Sequence, residues 1–88
     1  ATQRKEFIGT IYHNFPEVSV AAIKISSGVI KVGDELIIIG DKTGMITHKI
    51  ERIEINHQPY GWADKGQEVG IKIPGVRKGD KVYLIVKK

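Results

Sequence analysis

Short apolar runs of isoleucine and valine, each closed by a glycine-rich turn, limit what this chain can fold into. Fifteen of its 88 residues are isoleucine, whose branched Cβ favours extended backbone. No window of about 11 residues carries a helical apolar stripe. Alternation predicts strands at 7–12, 18–25 and 30–32, and an apolar segment, 36–39, that is hydrophobic on both faces and so belongs in the middle of a sheet. A long strand is expected from Met45 to Asn56, with further strands at 69–73 and 82–86. The long strand changes phase: Ile46, His48 and Ile50 share one parity, Ile53 and Ile55 the other. Both sets can face a core only if a residue is inserted, so a bulge or bend is expected near Glu51-Arg52. Residues 57–65 read as a loop.

Glycines punctuate these runs. Gly28, Gly33, Gly66 and Gly79 suit turn positions with positive φ, and Asp34 and Asp80 can cap their own turns. Gly70, inside a strand, suits close backbone approach at a corner. Six or seven strands in so short a chain predict an all-β fold: a small closed antiparallel barrel, Greek-key-like, forming one domain over residues 1–88. Closure would remove edges that an isoleucine-rich sheet otherwise exposes to aggregation.

Chemistry is sparse. There is no cysteine, which removes disulfides and thiolate metal sites. His13, His48 and His57 lack metal-ligand spacing, and Ser26-Ser27 is a turn pair without a neighbouring base. His48 follows the core parity and reads as a structural residue at the core or its rim. Gly28-x4-Gly33 has the spacing of a phosphate loop, but Asp34-Glu35 stands where Lys-Ser/Thr belongs, and carboxylates there repel phosphate. The expectation is a protein without enzymatic activity, cofactor, metal or nucleotide site. No apolar run approaches a membrane span, and the start at Ala1-Thr2-Gln3-Arg4 has no signal-peptide pattern. A cytoplasmic setting is expected. The isoleucine-rich composition, with lysine and glutamate dominating the charges, is compatible with a heat-adapted source.

Several motifs together resemble the translation-factor β-barrel domain, the second domain of elongation factor Tu and of related translational GTPases. Gly28-Val29-Ile30-Lys31-Val32-Gly33-Asp34-Glu35-Leu36 matches that family's strand ending at glycine and its Lys-Val-Gly-Asp turn. Gly9-Thr10-Ile11 resembles the opening strand, and Ile50 to His57 the long bent strand. Ala63-Asp64-Lys65-Gly66-Gln67-Glu68-Val69-Gly70 resembles the Ala-x-x-Gly-x-x-Val-Gly segment, and Val76 to Tyr83 the final turn and strand. A similar barrel ends the collagenase-like peptidases, many of which act in RNA modification; Glu68-Val69-Gly70-Ile71-Lys72 and Arg77-Lys78-Gly79-Asp80 fit that version equally. The likeness covers about residues 6–86. It implies the barrel, and nucleotide chemistry that belongs to a separate GTPase domain. It also implies a part in holding the aminoacylated end of tRNA. For that role the family's Arg-Gly-Thr-Val run is replaced by Glu17-Val18-Ser19-Val20, and its Thr-Gly-Arg by Ala22-Ile23-Lys24, where only the basic character of Lys24 persists.

Charge gives the remaining clue. The net charge is +4, and the basic excess lies after residue 71: Lys72, Arg77, Lys78, Lys81, Lys87 and Lys88 face Asp80 alone. In the family barrel the first strand lies near the last, which brings Arg4 and Lys5 to this segment. Two readings stand: an anion-facing patch suited to an RNA backbone, or a solvated edge that resists aggregation. Tyr60 and Trp62 share a turn-rich loop and are either base-stacking or partner-anchoring aromatics, or a lid over one end of the barrel. The function expected is a binding module contacting tRNA, ribosomal RNA or a ribonucleoprotein through Arg4, Lys5, Lys24, Tyr60, Trp62, Lys72, Arg77, Lys78 and Lys81. The alternative is an accessory domain that docks on a GTPase or RNA-modifying enzyme without touching nucleic acid.

Overall fold

A computed structural model describes residues 3–87, apart from the side chains of Gln3 and Lys87. Ten strands follow in order: β1 (Gln3–Phe15), β2 (Val20–Ile25), β3 (Val29–Lys31), β4 (Glu35–Gly40), β5 (Gly44–Lys49), β6 (Ile53–Ile55), β7 (Gln58–Tyr60), β8 (Trp62–Asp64), β9 (Glu68–Lys72) and β10 (Lys81–Lys87). Eight form one antiparallel sheet ordered β5-β4-β10-β1-β2-β9-β6-β7, and β3 pairs with β8 in a separate ribbon. No helix occurs among the described residues, so none is long and apolar enough to cross a membrane.

The all-β reading holds, but closure and strand count do not. Neither sheet closes into a barrel, and the strands number ten rather than six or seven. The long strand expected from Met45 to Asn56 breaks at 50–52 because the Ile50 backbone is engaged elsewhere. Its N–H donates to Asp34 O at 2.8 Å, and its C=O accepts from Gly33 N–H at 2.8 Å. The bend falls where the phase change put it, yet it splits the strand in two. The segment 57–65, read as loop, supplies β7 and β8, each three residues long. The longest strand is β1, at 13 residues.

Two bulges let β1 serve two neighbours. Against β10 the register slips between Phe7 and Gly9; against β2 it slips between Ile11 and His13. The extra residue turns Ile8 inward while leaving Phe7 and Thr10 on the outer face. One core collects Ile8, Ile11, Ile23, Ile25, Ile30, Leu36, Ile38, Ile50, Ile53, Ile71, Ile73 and Val82. His48 is half-buried beside Ile46, at the rim of that core. The ribbon contributes Ile30 and Ala63, both fully buried.

Two local expectations need correction. Gly70 is not a close-approach site: a Cβ there would meet Val20 Cγ1 at 3.4 Å, an ordinary contact. That constraint belongs to Gly9, where a Cβ would overlap the backbone carbonyl of Lys24. And β4 is not central. It lies second from the β5 edge, so its second apolar row, Ile37 and Ile39, is only half-buried on the outer face.

Candidate functional site

The turn preceding β10 is built by Asp80. Its Oδ2 accepts the Arg77 N–H at 2.8 Å, its own N–H donates to Arg77 O at 3.2 Å, and Gly79 takes a φ of 94°. The same cap recurs at Asp34, whose Oδ2 accepts the Lys31 N–H at 3.1 Å beside Gly33, with a φ of 99°. The 77–80 turn is then fixed to β1. Gly79 N–H donates to Ile11 O at 2.7 Å, and Ile11 N–H donates to Asp80 O at 2.9 Å. Asp80 is 5% exposed, a buried carboxylate. Burial of that kind requires partners, and the second comes from another hairpin: the Thr43 hydroxyl donates to Asp80 Oδ2. Gly40 supplies the room, since a Cβ there would overlap Asp80 Oδ1.

The β4–β5 hairpin turn is thereby held against the 77–80 turn. A cleft of about 800 Å³ opens there, lined by Ile39, Gly40, Asp41, Lys42 and residues 77–81. Its cations are Lys42, Arg77, Lys78 and Lys81. Its acids are Asp41 and Asp80, and the latter is occupied by its capping bonds. Among the described residues neither side-chain ion pair, Arg4–Glu6 at 3.3 Å nor Arg52–Glu54 at 2.9 Å, involves a cleft cation. Four positive side chains lining one cleft against a single uncapped acid, Asp41, meet the electrostatic requirement for holding an anion.

The cationic character continues onto the outer sheet face. Lys81 opposes Thr10, and Thr10 opposes Lys24, so one row crosses three strands. Adjacent strands lie about 4.8 Å apart, which puts Lys24 roughly 10 Å from Lys81 along this row. Lys24 also opposes Glu68 on β9.

The other expected residues distribute as follows. Arg77, Lys78 and Lys81 meet in the cleft. Lys5 lies on the outer face, with its ammonium 4.9 Å from the Tyr83 ring centroid. Arg4 has the opposite parity, so its side chain leaves the other face of β1, where it pairs with Glu6. Lys72 opposes Val20 at the far end of β9, four register positions beyond Lys24. Lys88 and the Lys87 side chain lie outside the described residues. Tyr60 and Trp62 sit on β7 and β8 and line no part of the cleft. Trp62 is 57% exposed and Tyr60 44%, so the loop does not bury them as a lid. Trp62 opposes Lys31 across the ribbon.

Lys42 was missed. In sequence it is one polar residue in a Gly-Asp-Lys-Thr-Gly turn. Only the pairing of β4 with β10 brings that turn to residues 77–80.

Another groove, of about 240 Å³, lies over Ala22 and Gly70, lined by Tyr12, Phe15, Val20, Glu54, His57 and Glu68. It holds two carboxylates and no lysine or arginine, which does not suit a phosphate. The Tyr12 hydroxyl donates to Glu68 Oε1 at 3.3 Å. Burial, then the negative charge and hydrogen bond of Glu68, raise the Tyr12 phenol above its ordinary value of 10.0.

Residues 19–82, more than half of the chain, match the family described as elongation factor Tu domain 2. An uncharacterized protease of Methanocaldococcus jannaschii is 40% identical over 83 residues, covering 93% of this chain and 20% of that protein. A collagenase of Porphyromonas gingivalis is 37% identical over 89 residues, covering 100% of this chain and 22% of that protein. The chain thus spans about a fifth of the length of the curated relatives it matches. Among solved structures, the C-terminal domain of a protein from Geobacillus thermoleovorans described as a U32 peptidase superimposes with a TM-score of 0.80 at 23% identity. That match covers 94% of this chain and 99% of that one. At this identity the likeness speaks for the fold.

Proposed function

The chain belongs to the elongation factor Tu domain 2 family, and from that premise we propose that it is a non-enzymatic binding module that holds RNA by its phosphate backbone. One observation carries this reading: Lys42, Arg77, Lys78 and Lys81 line a single cleft, with no ion-pair partner among the described residues. Lys24 extends the row. Binding of this kind is driven by release of condensed counterions and discriminates little among sequences. Trp62 and Tyr60 offer a separate exposed surface on which an unpaired base stacks. Transfer RNA and ribosomal RNA are the natural ligands to test, in a cytoplasmic setting.

A mobility-shift assay with both RNAs at low salt tests the proposal, because counterion release favours association most there. A shift that weakens steeply with added salt supports it; no shift at low salt removes it. A second reading, an accessory domain docking on an enzyme, is favoured by the matched relatives being several times longer than this chain.

A further inference from the structure

Two adjacent strands, β4 and β10, are apolar on both faces. Leu36 and Ile38 of β4 and Val82 of β10 are fully buried, and Leu84 packs against the same core. The alternate residues, Ile37, Ile39, Tyr83 and Ile85, fill the outer face, where an antiparallel sheet facing water carries polar side chains. Register extends this patch across four strands. Phe7 opposes Tyr83, Tyr83 opposes Ile37, and Ile37 opposes Thr47. In the next row Lys81 opposes Ile39, and Ile39 opposes Met45; on the other side Lys5 opposes Ile85. Met45 is 68% exposed and Phe7 39%. The Phe7 and Tyr83 rings meet edge to face at 5.6 Å.

The rim is basic. Among described side chains the outer face of these four strands carries Lys5, Lys81 and Lys49, against one carboxylate, Glu35, which stands opposite Lys49. Three strand spacings give a patch about 14 Å wide, and three rows along the strands about 14 Å in length. An α-helix is about 10–12 Å across with its side chains, and roughly ten residues span 15 Å. A sheet face that is apolar is stable when another layer covers it, a helix being one of the two elements available.

We infer that this outer face is a docking surface for an amphipathic α-helix of a protein partner, its apolar stripe flanked by carboxylates. The patch borders the cleft at Ile39 and Lys81, but its interior of isoleucines, Phe7, Tyr83 and Met45 carries no charge to hold a phosphate. A second copy of the chain would bring one cation-rimmed patch against another, which is unfavourable. The inference does not depend on RNA binding, and it supplies the accessory-domain reading with a surface and a partner chemistry.

The test uses the 88-residue chain and two synthetic amphipathic helices, both with a leucine stripe, one flanked by glutamates and one by lysines. Backbone amide shifts are followed by NMR during titration. The glutamate-flanked helix is expected to bind at least tenfold more tightly and to perturb β4, β5, β10 and the first half of β1. F7E/M45E, which alters exposed positions only, is expected to abolish this binding, and Lys5→Glu to weaken it severalfold. Unchanged circular dichroism of the same variants separates loss of the surface from loss of the fold. Any of four results overturns the inference: no perturbation by the acidic helix, equal binding of the two helices, binding unaffected by F7E/M45E, or concentration-dependent self-association through the same residues.

Discussion

Gly40 and Asp80 interlock: the glycine leaves the space that the buried aspartate carboxylate occupies, and a Cβ at position 40 would overlap Asp80 Oδ1. The carboxylate in turn joins Thr43 on one hairpin to the Arg77 amide on the next turn. This contact shapes the cleft. Gly40→Ala is expected to destabilise the fold by about 1–3 kcal/mol, as overpacking does. Asp80→Asn, which removes charge-assisted bonds, is expected to lose about 1.5–3 kcal/mol for each bond broken. The midpoint of urea unfolding checks both.

Gly9 and Gly70 should behave differently although both interrupt strands. A Cβ at Gly9 overlaps a backbone carbonyl, Lys24 O, which can move only with the β1–β2 ladder. Gly9→Ala is expected to destabilise by about 2 kcal/mol or more. Gly70→Ala meets Val20 Cγ1 at 3.4 Å and should be neutral within about 1 kcal/mol. Paired denaturation curves decide the contrast.

That contrast marks what was legible in the residues and what was not. Turn chemistry is local, so the positive φ of Gly28, Gly33, Gly66 and Gly79 and the self-capping of Asp34 and Asp80 followed from sequence. The bend after Ile50 followed from a parity change. Whether a glycine touches backbone depends on which strand lies beside it, and no local pattern carries that. The same blindness hid Lys42, brought to the cleft only by the β4–β10 pairing. It also led a doubly apolar segment, Leu36 to Ile39, to be placed centrally when its outer row is surface. The pairing of β1 with β10 brings Arg4 and Lys5 beside the last strand as expected, and their opposite parity sends the two side chains to opposite faces.

Tyr12 provides a pH-dependent signature. Its raised phenol means that the folded state favours the neutral form. The associated stability is fully present below the ordinary value of 10.0 and is lost as pH rises through the higher folded value. Glu68→Gln removes the charge and weakens the hydrogen bond but leaves the burial. Tyr12 should then titrate lower, though still above 10.0. NMR titration of the Tyr12 ring protons reads this directly.

Trp62 is exposed on the ribbon, so its fluorescence should be red-shifted and open to iodide or acrylamide quenching. Trp62→Ala should change stability by no more than about 0.5 kcal/mol while weakening binding of single-stranded RNA by about 1–3 kcal/mol. A blue-shifted, quencher-protected signal would contradict the exposed placement.

The most direct test of the cleft is the salt dependence of tRNA binding for the unaltered chain and for Lys42→Ala. Lys42 is the cation that only the folded structure brings to residues 77–81. The logarithm of the affinity should fall linearly with the logarithm of salt, and the variant's slope should be shallower by about one unit, with affinity lowered uniformly across RNA sequences. An unchanged slope and affinity for Lys42→Ala would contradict the cleft as the place where RNA is held.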